Sequence, residues 1–216
     1  EEGRAACVEA GAVKPLVALL WAGPEQVATF NAAGVLSCIA QSEDGRAACV
    51  EAGAVAPLVA LLGAGPEQEA ASKAAFALAW VVRSEEGRAA CSEAGAVAPL
   101  VALLGAGPEL KATINAAAAL SYIACSEEGR AACVEAGAVK PLVALLWAGP
   151  EQVATFNAAG VLSCIAQSED GRAACVEAGA VAPLVALLGA GPEQEAASKA
   201  AFALAWVVRS EEGRAA

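Results

Sequence analysis

Residues 1–42 read EEGRAACVEAGAVKPLVALLWAGPEQVATFNAAGVLSCIAQS, and the rest of the chain is variation on that stretch. New copies open at Glu43, Glu85, Glu127 and Glu169, and Glu211 to Ala216 begins a sixth. A fixed period of this size is the signature of a stacked repeat protein, in which each unit buries its apolar face against its neighbours. Within one copy, Glu1 to Ala10 predicts a short helix stopped by Gly11, since glycine suits a helix C-terminus. Gly3 weakens that helix. Ser42, Ser84, Ser126 and Ser168 precede the acidic pairs of the later copies and are natural N-caps. A second helix is expected from about Pro15, with Leu16, Leu19 and Leu20 forming an apolar stripe. A third and longest helix is expected from Pro24-Glu25 to about Gln41. No segment carries a strand pattern.

Composition narrows the function classes. The 216 residues are 58% hydrophobic, with mean hydropathy +0.56. Much of this is alanine, which adds little apolar surface. The longest uncharged runs, such as Ala52 to Pro66, are interrupted by proline and glycine and fall short of the ~20 apolar residues a spanning helix needs. No membrane association is expected. A formal charge of −11 with 13 basic residues argues against nucleic acid as a partner. The acidity favours a basic partner, although most of it sits at predicted helix starts, where it complements the helix dipole. The chain lacks methionine altogether and shows no signal segment, as expected of a processed, trimmed or excised piece.

Five of the eight cysteines, Cys7, Cys49, Cys91, Cys133 and Cys175, recur with the repeat. Neighbouring helices lie roughly 8–10 Å apart, and a disulfide needs Cα atoms within ~7 Å. Those cysteines therefore read as small buried side chains in a reducing, cytoplasmic compartment. With no histidine and no Cys-x-x-Cys pair, no metal or cofactor is expected. No nucleophile motif or phosphate-binding glycine loop is present, and the chain reads as non-enzymatic.

Comparing the copies adds a second layer. Glu1 to Ala90 recurs unchanged as Glu127 to Ala216, so three repeat types run in the order A-B-C-A-B. Drift erases such identity, which points to engineering or a very recent duplication. Along the third helix Ala28, Ala32, Ala33 and Leu36 are constant and Ile39 changes only to valine, a stripe expected to face the core. The varying positions are Val27/Glu69/Lys111, Phe30/Ser72/Ile114, Asn31/Lys73/Asn115, Gly34/Phe76/Ala118, Cys38/Trp80/Tyr122 and Gln41/Arg83/Cys125. They form another continuous helical stripe.

The Glu9-Ala-Gly-Ala-Val segment, Pro15-Leu-Val with Leu19-Leu20, and the Ala32 to Ala40 ladder resemble the armadillo repeat over the whole chain. HEAT repeats, with two helices, are the weaker match. The resemblance implies an all-α, right-handed α-solenoid of five three-helix repeats (1–42, 43–84, 85–126, 127–168, 169–210, then a fragment) as one domain spanning 1–216. It also implies an interaction scaffold whose third helices line a groove for an extended peptide. The candidate groove residues are Phe30, Asn31, Cys38, Lys73, Phe76, Trp80, Arg83, Asn115, Tyr122, Phe156, Asn157, Cys164, Lys199, Phe202 and Trp206.

The family's groove commonly carries an asparagine where this chain has Cys38, Trp80, Tyr122, Cys164 and Trp206. It often has a tryptophan one turn earlier, where this chain has Gly34, Phe76, Ala118, Gly160 and Phe202. The asparagine ladder is missing. Two readings of the stripe stay open: an aromatic groove for apolar or cationic side chains, or packing between repeats, with Trp80 filling space above Gly34 or Cys38. Trp21 and Trp147 read as edge residues. The expected partners are an extended or basic peptide or another protein. No terminal cap is visible, so self-association through exposed repeat ends, with shape or assembly as the role, is the second functional reading.

Overall fold

A computed structural model describes residues 1–191 and 194–210; the sixth-copy fragment, Glu211 to Ala216, lies outside the described residues. Those residues form fifteen α-helices and one short 3₁₀ turn, with no strand among them. They fall into two compact units, Glu1–Leu103 and Leu104 onward. The first unit holds α1 (Glu2–Glu9), α2 (Val13–Leu20), α3 (Val27–Ile39), α4 (Glu43–Glu51), α5 (Val55–Leu62), α6 (Glu69–Val81), α7 (Glu85–Glu93) and α8 (Val97–Leu103). The second holds the 3₁₀ turn Leu104–Ala106, α9 (Lys111–Ile123), α10 (Glu127–Glu135), α11 (Val139–Leu146), α12 (Val153–Ile165), α13 (Glu169–Glu177), α14 (Val181–Leu188) and α15 (Glu195–Val207).

Each copy begins with a short helix. In every copy that helix ends at a glycine with positive φ, between +65° and +73° at Gly11, Gly53, Gly95, Gly137 and Gly179. At Gly53 the closing bonds run Gly53 N–H to Val50 O (3.0 Å) and Ala54 N–H to Cys49 O (2.9 Å). This is the paired stop that requires a left-handed residue. The second helix starts at Val13, two residues before Pro15. Proline fits there because amides of the first turn have no intrahelical acceptor. The third helix starts later than the sequence suggests, at Val27. Pro24 and Glu25 lie instead in a turn closed by Gln26 N–H to Gly23 O at 3.2 Å.

The serine caps form as expected. Ser42, Ser84, Ser126 and Ser168 accept from the amides of Gly45, Gly87, Gly129 and Gly171 at 3.0–3.2 Å. Each hydroxyl also donates backwards, to Ile39 O, Val81 O, Ile123 O and Ile165 O. One side chain thus closes the end of a third helix and opens the next first helix. The glycines just named are not weak points. A Cβ on Gly129 would overlap the Ile123 carbonyl, with its carbon only 2.7 Å away, and the same holds at Gly45, Gly87 and Gly171. At Gly3 a Cβ meets nothing within 4 Å.

Packing inside each unit repeats. In the first, α3 lies against α6, α2 against α3, and α5 against α6; in the second, α12 lies against both α9 and α15, and α14 against α15. The largest fully buried side chains are leucines and isoleucines at matching positions, among them Leu36, Leu78, Leu120 and Leu162. Ala32, Ala33, Leu36 and Ile39 are buried, as the constant stripe predicts. Ala28 is exposed in the first copy while its counterparts Ala70, Ala112, Ala154 and Ala196 are buried. Cys49, Cys91, Cys133 and Cys175 are buried and unpaired; Cys7 is half-buried. Burial pushes the thiols of the buried cysteines up from an ordinary value near 9.0, to about 11 for Cys49 and about 12 for Cys91 and Cys175. Burial, with a smaller contribution from Cys164, raises Cys133 to about 12.

Two outcomes follow from this architecture. Gly129→Ala should lower stability by about 1–3 kcal/mol through overpacking. Gly3→Ala and Gly160→Ala, both in open space, should be neutral or gain about 0.5–1 kcal/mol; chemical denaturation of the three variants checks this. The buried thiols are neutral in the folded state and ionise more readily when unfolded. Their stabilising contribution is therefore complete below pH 9 and declines as pH rises towards 11–12, by up to ~1.4 kcal/mol per pH unit for each thiol. Urea midpoints measured at pH 8, 9 and 10 should fall, and Cys91→Ala should flatten the slope.

Candidate functional site

The varying stripe sits on α3 and α6 in the first unit and on α9, α12 and α15 in the second. None of its candidate side chains is buried. In the first unit Phe30, Lys73, Phe76 and Trp80 are half-buried, while Asn31, Cys38 and Arg83 are exposed. Phe76 and Trp80, one turn apart on α6, meet edge to face with centroids 6.4 Å apart. The Arg83 guanidinium lies 4.0 Å from the centre of the Trp80 ring. Lys73 reaches Glu69 at 4.0 Å, both side chains well exposed, so that pair adds little stability.

The second unit repeats the arrangement. Asn115, Tyr122, Phe156, Asn157, Cys164 and Trp206 are half-buried, Lys199 is exposed, and Phe202 is 52% exposed. Phe202 and Trp206 meet at 6.4 Å, and Arg209 stacks 4.0 Å over Trp206. Lys199 places its ammonium 5.6 Å from the Phe156 ring centre. Asn157 Nδ2 donates to Ile114 O at 3.1 Å, joining α12 to α9. A shallow cleft between the starts of α12 and α15 is lined by Glu151, Phe156, Asn157, Gln194 and Glu195.

The rings thus already hold cations, and those cations are the chain's own: Arg83, Lys199 and Arg209. This differs from the expectation that the rings wait for a partner's positive group. The close neighbour of Gly34 also differs from expectation. Lys73 Cδ, not Trp80, lies 3.7 Å from where a Cβ on Gly34 would stand. Charge along the stripe is uneven. Glu69 and Glu195 open their helices, whereas Arg83 and Arg209 follow the helix ends, the arrangement the helix dipole favours. Across the five copies the stripe carries Lys73, Arg83, Lys111, Lys199 and Arg209 against those two glutamates.

Two groups escape a reading of the stripe alone. Arg46, Arg88, Arg130 and Arg172 reach back to carbonyls just past the end of the preceding third helix, at 3.2–3.4 Å. The invariant Gly-Arg after each capping serine was the signal for them. Cys125, which ends the stripe of the third copy, interacts with Cys164 of the fourth. Trp21 and Trp147 are 65% and 64% exposed at the ends of their helices.

Comparison with known proteins agrees with this architecture. The Armadillo/beta-catenin-like repeat family matches residues 84–125. A designed armadillo repeat protein in complex with the peptide (KR)4 is 31% identical, with TM-score 0.83, over 95% of this chain and 86% of that one. A second designed armadillo repeat protein is 33% identical over the same shares, with TM-score 0.84. Computationally designed armadillo repeat proteins for modular peptide recognition reach 31% identity and TM-score 0.83, again over 95% and 86%. No curated protein matches. With a third of its residues shared along almost its full length, and three helices in each described copy, the chain belongs to the armadillo repeat family.

Proposed function

We propose that the chain is a non-catalytic interaction scaffold that holds an extended peptide across its third helices, and that the identical copies reflect an engineered array. The observation that carries this reading is the stacking of Arg83 on Trp80 and of Arg209 on Trp206, each at 4.0 Å. An arginine guanidinium is planar and takes a carboxylate bidentately. The rings beside it offer apolar surface. The family's asparagine position holds Cys38, Trp80, Tyr122, Cys164 and Trp206 here, so side chains of the peptide, more than its backbone, supply the contacts. The likeness to designed peptide binders supports the mode.

The partner's charge follows from the contact surface. The chain as a whole is acidic, which argues for a basic peptide such as the (KR)4 bound by the similar designed protein. Charges more than about 10 Å from the contact are screened at physiological salt, however. On the stripe itself five cations face two acids. We therefore infer a peptide bearing carboxylates among apolar side chains, lying along the Trp-Arg end of the helices.

Tryptophan fluorescence titrated with an alternating Glu-Leu octapeptide and with (KR)4 tests both levels. The acidic peptide should bind more tightly, and Arg83→Gln with Arg209→Gln should weaken it about five- to tenfold. Tighter binding of (KR)4 would reverse the charge assignment and leave the scaffold reading intact. Binding of neither peptide, with a mass that grows with concentration in light scattering, would favour assembly instead. Trp80→Ala with Trp206→Ala should abolish binding and cost less stability than the ~3–5 kcal/mol of a core aromatic truncation.

A further inference from the structure

The second unit places two thiols together that the repeat period does not pair. Cys125 follows α9 and Cys164 lies near the end of α12, and the two helices pack side by side. The Asn157 to Ile114 bond fixes their register. In the first unit, Lys73 approaches Gly34 across the matching helix pair at an offset of thirty-nine residues, the offset that separates Cys125 from Cys164. The Cys125 and Cys164 side chains lie close enough to interact with one another. Cys125 is exposed and also donates to Ser121 O at 3.3 Å; Cys164 is half-buried. The thiols of Cys49, Cys91, Cys133 and Cys175 are sealed in the core.

We propose that Cys125 and Cys164 are an oxidisable pair that closes into a disulfide when the protein meets a small-molecule disulfide such as glutathione disulfide, stapling α9 to α12. Exposed Cys125 reacts first. Its thiolate, having given its proton to solvent, attacks one sulfur of the small disulfide, forms a mixed disulfide and releases one thiolate. Cys164, deprotonated in turn, attacks the Cys125 sulfur, closes the Sγ–Sγ bond and expels the second thiolate. Two protein thiols are oxidised and one small disulfide is reduced to two thiols. Burial and the neighbouring Cys125 hold the Cys164 thiol above its ordinary value, while Ser163 and Lys199 act the other way. The second step is therefore the slower one.

The test uses the full chain carrying Cys38→Ser, because peptides containing Cys38 and Cys164 are otherwise indistinguishable. After incubation with glutathione disulfide, alkylation and digestion, mass spectrometry should find a Cys125–Cys164 linked peptide. Two titratable thiols should be lost per chain, and Tm should rise by roughly 5–10 °C in the oxidised monomer. Adding Cys125→Ser should abolish both the link and the shift. A lasting mixed disulfide on Cys125, a Cys133–Cys164 link or linkage between chains would overturn the assignment.

Discussion

One close approach holds each repeat to the next. The carbonyl at the end of a third helix sits where a side chain would begin on the following first helix, at Gly45, Gly87, Gly129 and Gly171. Carbonyls at a helix end have no partner in their own helix. Here a serine hydroxyl and an arginine reaching from the next helix take them up. Glycine in a helix interior costs about 0.5–1 kcal/mol against alanine. That cost is the condition for bringing two backbones into contact, and the alanine-rich stripes then pack on a frame already set.

This explains which parts of the fold were legible in sequence. The period, three helices per copy, the capping serines and the core stripe from Ala32 to Ile39 all depend on local pattern, and the structure agrees with each. Sequence shows only that Gly3 weakens its helix; the reason for glycine at its counterparts Gly45, Gly87, Gly129 and Gly171 lies in another helix. Pro15 and Pro24 misplaced two helix starts, since proline marks a turn and a first helical turn equally well. The order of the side chains on the stripe was also legible, but their pairing was not. Cation and ring come together through rotamers and neighbouring helices, as Lys199 and Phe156 do across forty-three residues.

Identical sequence in different surroundings separates what a residue is from what its neighbours make of it. Val82 is fully buried in the second copy, while Val208, the same residue in the fifth, is 46% exposed at the edge of the described helices. Phe76 is half-buried and Phe202 is 52% exposed. Burial in such arrays is a property of adjacency, as expected when each repeat contacts only its neighbours. The rings of α6 and α15 nonetheless keep the same edge-to-face pairing and the same stacked arginine. That local arrangement belongs to the helix itself.

The helix register has a combinatorial consequence. At an offset of thirty-nine residues, Cys125 at the last stripe position of the third copy meets Cys164 at the penultimate stripe position of the fourth. The juxtaposed pair is then set by which types adjoin. Type C before type A brings two cysteines together. Shuffling intact repeats would rewrite these pairs without altering a single core residue. The order of the modules is thus a text in its own right, spelled at the seams.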